Sequence, residues 1–446
     1  MESTKTLRDS AALRWTALLL LALAMFCAYI FMDILSPIKD LMQSERGWDS
    51  DAFGTMQGAE TFLNVFVFFL IFAGIILDKM GVRFTALLSG GVMLAGALIK
   101  WYAVSDSFIG SGMETWFTNN LNHIPVFEQL GVSPFYEGMP ASAKLAAIGF
   151  MLFGCGAEMG GITVSRGIVK WFKGREMALA MGSEMALARL GVATCMIFSP
   201  FFAKLGGSVD VSRSVAFGVV LLCIALIMLV VAATAFTFNF MKDKRAKFSM
   251  LTISVLALIS YCYMGYMRQS AESIFAVFPL LAVGITPVLG KYVDHKGKAA
   301  SMLVLGSLLL IACHLTFAFI LPEFKGNQLG GVVVAYLTIL VLGSSFSLVP
   351  ASLWPSVPKL VDAKVIGSAY ALIFWIQNIG LWLFPLLIGK VLTATNEGVE
   401  DATQLNYTAP LVMLASLGVA ALIIGLILKV VDKKKGLGLE EPNIKE

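Results

Sequence analysis

The chain has 446 residues, 58% of them hydrophobic and 14% charged, with a mean hydropathy of +0.82. Soluble domains carry roughly 25% charged residues, so this balance excludes a soluble or disordered protein and leaves a polytopic membrane protein. The net charge of +4 calls for no nucleic-acid partner, because the basic residues gather in short segments between apolar windows, where they set orientation.

The window at 15–36 is too long for a signal-peptide core and ends in no small-residue cleavage site, so it reads as a first transmembrane helix. Windows of about 20 apolar residues, enough to cross a hydrocarbon core of ~30 Å, follow at 53–77, 84–104, 146–168, 177–203 and 215–236. After a basic break at 242–247 they resume at 248–266, 274–289, 300–321, 331–357, 365–392 and 409–430. The pattern predicts an all-α membrane protein of twelve transmembrane helices in two six-helix halves, 1–240 and 241–446. With both termini cytoplasmic, about two dozen basic residues fall inside and about eight outside, which fixes the expected orientation. The external loop at 105–144 is long for an ordered connection and reads as an elaboration with Trp116 and Phe117 packed at the membrane surface. All six cysteines lie in apolar windows and read as packing residues, with no disulfide framework or metal site.

Two stretches repeat. The turn after the second window carries Gly74, Asp78 and Gly81 followed by Arg83, and the turn after the eighth carries Gly290, Asp294 and Gly297 followed by Lys298, both in the pattern G-x-x-x-D-x-x-G. Gly74 and Gly290 allow close helix approach, Gly81 and Gly297 permit a tight turn, and the aspartates sit where a carboxylate accepts hydrogen bonds from a helix N-terminus.

Two opposite charges stand mid-window. Glu158 lies in the small-residue run Gly154 to Gly161, and Arg189 lies alone in the next window. A charge at the bilayer centre costs roughly 2.5–3.5 kcal/mol on insertion scales, so the pair marks a functional polar site. Asp33 and Glu60 lie towards the outer ends of the first two windows and read as entrance or interface residues. Glu184, about 140° round the helix from Arg189, reads as a packing or gating contact. His314 reads as a satisfied buried histidine, and Arg166 and Lys170 as snorkelling residues.

Twelve helices, a basic central loop and the doubled motif resemble the major facilitator superfamily, whose pseudo-symmetric halves rock around a midplane site. That resemblance implies a conformational latch of Gly74, Asp78, Gly81, Arg83, Asp294 and Gly297, with Asp78 meeting the start of the eleventh helix near Val365. Glu158, Trp171-Phe172, Arg189-Leu190-Gly191, Leu353-Trp354-Pro355, Gly367-Ser368-Ala369-Tyr370 and Ile376-Gln377-Asn378-Ile379-Gly380 are similar to the lysosomal dipeptide uniporter group and its bacterial relatives. Asn64 falls where that group has an asparagine. The long loop at 105–144 and the short 267–272 connection depart from the group and bear on whether the carrier is fully active.

The expected function is therefore a membrane transporter of small zwitterionic solutes, dipeptides first, working by alternating access. Glu158 would face the substrate ammonium and Arg189 its carboxylate, with Asn64, Trp354, Gln377 and Asn378 as walls and neutral hydrogen-bonding groups. A carboxylate beside a guanidinium is a poor proton carrier, so uniport is expected over proton coupling, with Asp33 or Glu60 as the fallback proton site. The alternatives are an organic-anion or other small-solute carrier of the same fold, and a non-transporting receptor or accessory subunit. No phosphate loop or H-E-x-x-H spacing is present, so an enzyme, a cofactor and a metal are not expected. The expected partners are the lipid bilayer and a small-molecule substrate. The expected state is a monomer in the cell (inner) membrane rather than the lysosome, with both termini cytoplasmic.

Overall fold

The computed structural model describes residues 10–129, 131–238, 271–324, 328–397 and 406–444, and among them every regular element is helical. Nine helices among the described residues are long and apolar enough to cross a membrane. The predicted window at 248–266, the basic break at 242–247 and most of the 267–272 connection lie outside the described residues.

The long helices begin where polar caps meet apolar runs. α1 (Ala11–Met32) starts at Ser10, whose hydroxyl accepts the Leu13 N–H at 3.5 Å. α2 (Ser50–Phe66) starts at Asp49, whose carboxylate accepts the Ala52 N–H at 2.7 Å. The single window expected at 53–77 is in fact two pieces. α2 ends at Phe66, Phe68 takes a left-handed backbone with φ 57°, and α3 (Phe69–Val104) follows. α3 then covers the third window as well, bending at Gly81, where φ is 81° and ψ 171°. Only glycine adopts that backbone without strain, which is why the motif needs it there.

α4 (Ala141–Phe172), α5 (Met177–Ala203) and α6 (Val211–Phe238) complete the first half of the chain. Beyond the undescribed stretch come α7 (Ala271–Lys296), α8 (Ala299–Leu315), α9 (Gln328–Leu360), α10 (Ile366–Thr395) and α11 (Thr408–Lys435). Tertiary contacts divide the chain into two compact units that interleave in sequence. The first comprises Met1–Gly167, Leu190–Arg268 and Gly367–Trp382, and the second Ile168–Arg189, Gln269–Ile366 and Leu383–Glu446.

In the first unit the small-residue run of α4 lets neighbouring backbones approach it closely. A Cβ on Gly154 would overlap the Glu60 backbone carbonyl, and one on Gly161 would lie 2.8 Å from the Phe374 ring. Phe31, Phe150 and Phe153 pack together above this seam, with ring centroids 4.8 Å apart for Phe31 and Phe153 and 5.8 Å for Phe150 and Phe153. In the second unit Ala178, Val293, Ala299, Met302 and Leu348 form a buried cluster.

The loop at 105–144 contains short helices at Gly112–Asn120 and Pro125–Gln129. Phe117 is buried against Phe108, at 6.3 Å between centroids, whereas Trp116 is exposed, so the two neighbours do not share the surface role expected of both. Lys144, itself buried, donates to Phe117 O at 3.2 Å and Asn122 Oδ1 at 2.8 Å, and Phe127 packs edge-on against Phe62 at 4.8 Å. These contacts tie the loop to α2 and α4.

Candidate functional site

Glu158 lies midway along α4 and is 8% exposed. One of its carboxylate oxygens has no hydrogen-bond partner, and the side chain of Asn378 on α10 lies within hydrogen-bonding reach of the group. Asn378 is fully buried; its amide nitrogen donates to Phe374 O at 2.9 Å, while its oxygen has no partner. Asn64, in the last turn of α2, is fully buried with neither amide atom partnered. Glu60 lies one turn earlier and packs on Gly154, itself one turn before Glu158.

Of the eleven buried side-chain atoms without a partner among the described residues, six belong to Glu60, Asn64, Lys100, Glu158 and Asn378. Each such atom costs about 1–3 kcal/mol when nothing replaces its lost water. Native proteins leave few, so these five residues of one packed unit are a candidate polar site.

The break between α2 and α3 borders this centre. A non-glycine residue in the left-handed region costs roughly 1–2 kcal/mol, and here the surroundings compensate. Trp375 of α10 donates its indole N–H to Val65 O at 3.2 Å, and its ring lies 5.5 Å from that of Phe68. Phe66 meets Trp382 at right angles, 4.9 Å between centroids. Gln377, two residues after Trp375, is exposed and is not drawn into the buried centre as Asn378 is.

In the second unit the Arg189 guanidinium stands over the Phe346 ring, 4.5 Å from its centroid. Glu184 is buried and is an electrostatic neighbour of Arg189 despite the angular separation between them on the helix. Trp354 is buried on α9 between Pro350 and Pro358.

The two repeated motifs make the same kind of contact, one in each unit. Asp78 accepts the N–H of Gly367 at 3.1 Å, the N–H of Ser368 at 2.9 Å and the Ser368 hydroxyl at 2.6 Å, at the start of α10. Arg166 forms an ion pair with Asp78, which corrects its expected role as a snorkelling residue: the Asp78 side chain is only 14% exposed and needs a counter-charge, and the α4 arginine reaches it. A Cβ on Gly74 would come within 2.6 Å of the Ala371 Cβ, so that glycine sets the approach of α10. Asp294, fully buried, accepts the N–H groups of Ala178 at 2.9 Å and Leu179 at 2.8 Å at the start of α5, and the Asn443 side-chain amide at 2.9 Å. Gly297, at φ 71°, lies against the backbone of Glu440 and Glu441.

A family model described as Major Facilitator Superfamily matches residues 21–385. The chain belongs to the Major Facilitator Superfamily. It is a multi-pass integral membrane protein with the all-α, twelve-helix fold of that superfamily. The lysosomal dipeptide transporter MFSD1 of Bos taurus is 24% identical over 286 residues, which is 56% of this chain and 59% of the bovine protein. The Homo sapiens protein of the same name is 23% identical over the same shares of each. The chain thus matches under two thirds of the length of these relatives. Among solved structures, the proton:xylose symporter XylE bound to 6-bromo-6-deoxy-D-glucose superposes with a TM-score of 0.60 at 13% identity, covering 92% of this chain and 94% of XylE. The nucleoside transporter NupG gives 0.52 at 14% identity, covering 93% and 99%.

Glu60, expected at an entrance or an interface, is 9% exposed and packs against α4, where Gly154 admits it. Lys100, which nothing in the sequence singles out, is fully buried on α3.

Proposed function

We propose that this superfamily member carries small zwitterionic solutes, dipeptides first, by alternating access. One observation supports this reading above the others: a buried carboxylate, Glu158, with an unpartnered oxygen and the buried amide of Asn378 beside it, in the same unit as the unpartnered amide of Asn64. Such a group needs a cation that brings its own hydrogen-bond donors, and an α-ammonium supplies both. Arg189, its guanidinium face backed by Phe346, is suited to a carboxylate through its planar fork of donors. Trp354, Asn64 and Asn378 would form walls that accept varied side chains. The dipeptide transport named for the MFSD1 relatives supports the substrate class. Gly74, Asp78, Gly81, Arg83, Asp294 and Gly297 would act as a latch whose helix-capping bonds are made in one state and broken in another.

Uniport is the coupling mode proposed for the Glu158 site, in a cell (inner) membrane with both termini cytoplasmic and the carrier acting as a monomer. The experiment is a thermal-shift screen of purified protein against amino acids, di- and tripeptides and dicarboxylates, because a ligand that binds only the folded state raises its stability. Stabilisation by free dipeptides is the expected result. A response confined to dicarboxylates would replace this reading with the organic-anion carrier.

A further inference from the structure

Lys100 is fully buried, yet its ammonium has no hydrogen-bond partner; it stands 3.5 Å from the centroid of the Phe150 ring and 5.3 Å from that of Phe31. Aromatic faces hold a cation in apolar surroundings, but its charge still needs opposite charges nearby. Those are Glu60 of α2 and Asp33 just past α1, with Cys195 of α5 as the remaining titratable neighbour. Glu60 is buried with one carboxylate oxygen unpartnered, and the charged groups around it are Glu158, Asp33 and Lys100. Cys155, beside both Glu60 and Glu158, is the other titratable group there. Helix α4 orders the cluster along its length: Phe150 lies under Lys100, Gly154 against Glu60, and Glu158 one turn beyond. Inside a single packed unit Glu60 and Asp33 therefore face the ammonium, and Glu158 faces Glu60.

We propose that Glu60 and Glu158, with Lys100 as the fixed counter-charge of Glu60, form a proton-binding site that competes with the ammonium of the substrate. Two carboxylates brought together out of water do not both keep their charge, and a positive species must reach them. With the substrate absent, that species is a proton from the aqueous phase, held on one oxygen of the pair. The arriving ammonium supplies the charge instead and the proton returns to water; one cation replaces another, and no covalent bond other than O–H is made or broken. Because linkage is reciprocal, substrate affinity falls as pH falls. The inference rests on the reading of Glu158 as the ammonium partner.

The test uses the purified full-length protein with dialanine as probe, binding being measured from pH 5 to 8, alongside infrared difference spectra of the protonated-carboxyl stretch taken without dialanine. In wild type the affinity should drop on the acid side by up to about tenfold per pH unit, the limit for one proton displacing one ammonium. Glu60→Gln, nearly isosteric, should flatten that slope to less than about twofold and remove a protonated-carboxyl band. Lys100→Gln, where it folds, should shift both signals to higher pH. Dialanine binding equally tight at every pH overturns the proposal while the substrate reading stands. A carboxyl band lost in Glu60→Gln, with no dialanine binding at any pH, keeps the proton site and removes the substrate reading.

Discussion

At the residue scale the centre of the first unit is a set of polar atoms that the fold buries without pairing, and the test of its purpose has to separate binding from stability. Truncating a buried charged group leaves its surroundings uncompensated, so an alanine at Glu158 can abolish function by unfolding alone. Glu158→Gln keeps shape and hydrogen bonding. Wild type should strongly prefer a free dipeptide over its N-acetylated form, and the folded glutamine variant should lose most of that preference. Arg189→Gln should instead erode discrimination against C-terminally amidated dipeptides. Unchanged selectivity in both folded variants would move the substrate site elsewhere. Glu158 and Arg189 were legible in the sequence because a charge in the middle of an apolar window stands out. Lys100 was not, since it lies four residues from the end of α3, where lysines ordinarily reach water with an extended side chain. Its burial follows from the aromatic faces of Phe31 and Phe150, which lie far from it in sequence.

At the element scale, what the sequence shows is where glycine punctuates a helix. The bend at Gly81 and the turn at Gly297 were both legible for that reason, and both have a positive φ. The break between α2 and α3 was not, because Val67-Phe68-Phe69 contains neither glycine nor proline and reads as continuous apolar helix. Trp375, more than 300 residues away, satisfies the carbonyl that the break frees. Trp375→Phe keeps an aromatic ring against Phe68 and deletes the donor together with part of the indole area. The expected loss is about 1–3 kcal/mol, the cost of a buried acceptor left without a partner, read as a lowered midpoint of thermal unfolding in detergent. An unchanged midpoint would mean that the break is held by packing alone. Capping at Asp78 was legible from the repeat, but Arg166 looked like a helix-end arginine, and only the fold brings it to that carboxylate across 88 residues of sequence.

At the scale of the whole molecule, function depends on how readily the carrier changes state, and two predictions belong here. Asp78 caps α10 through bonds to Gly367 and Ser368, so Asp78→Asn weakens that cap while leaving the polar centre around Glu158 untouched. Transport turnover should fall more than dialanine affinity, and spin labels on the helix ends near Asp78 should report a shifted population of states. Equal losses of rate and affinity with no population shift would remove the latch role. The second prediction concerns energy. Proton competition at Glu60 and Glu158 changes how tightly substrate is held at a given pH, but it does not by itself drive accumulation, provided that the empty carrier reorients with or without its proton. In liposomes with an alkaline interior, the initial rate of dialanine entry should therefore depend on external pH, while the final internal concentration should equal the external one. Internal dialanine driven away from the external level, and returning to it when the pH gradient is dissipated, would replace uniport with proton-coupled transport; depletion inside, the sign that competition requires, would make Glu60 the first residue to test as the coupling site.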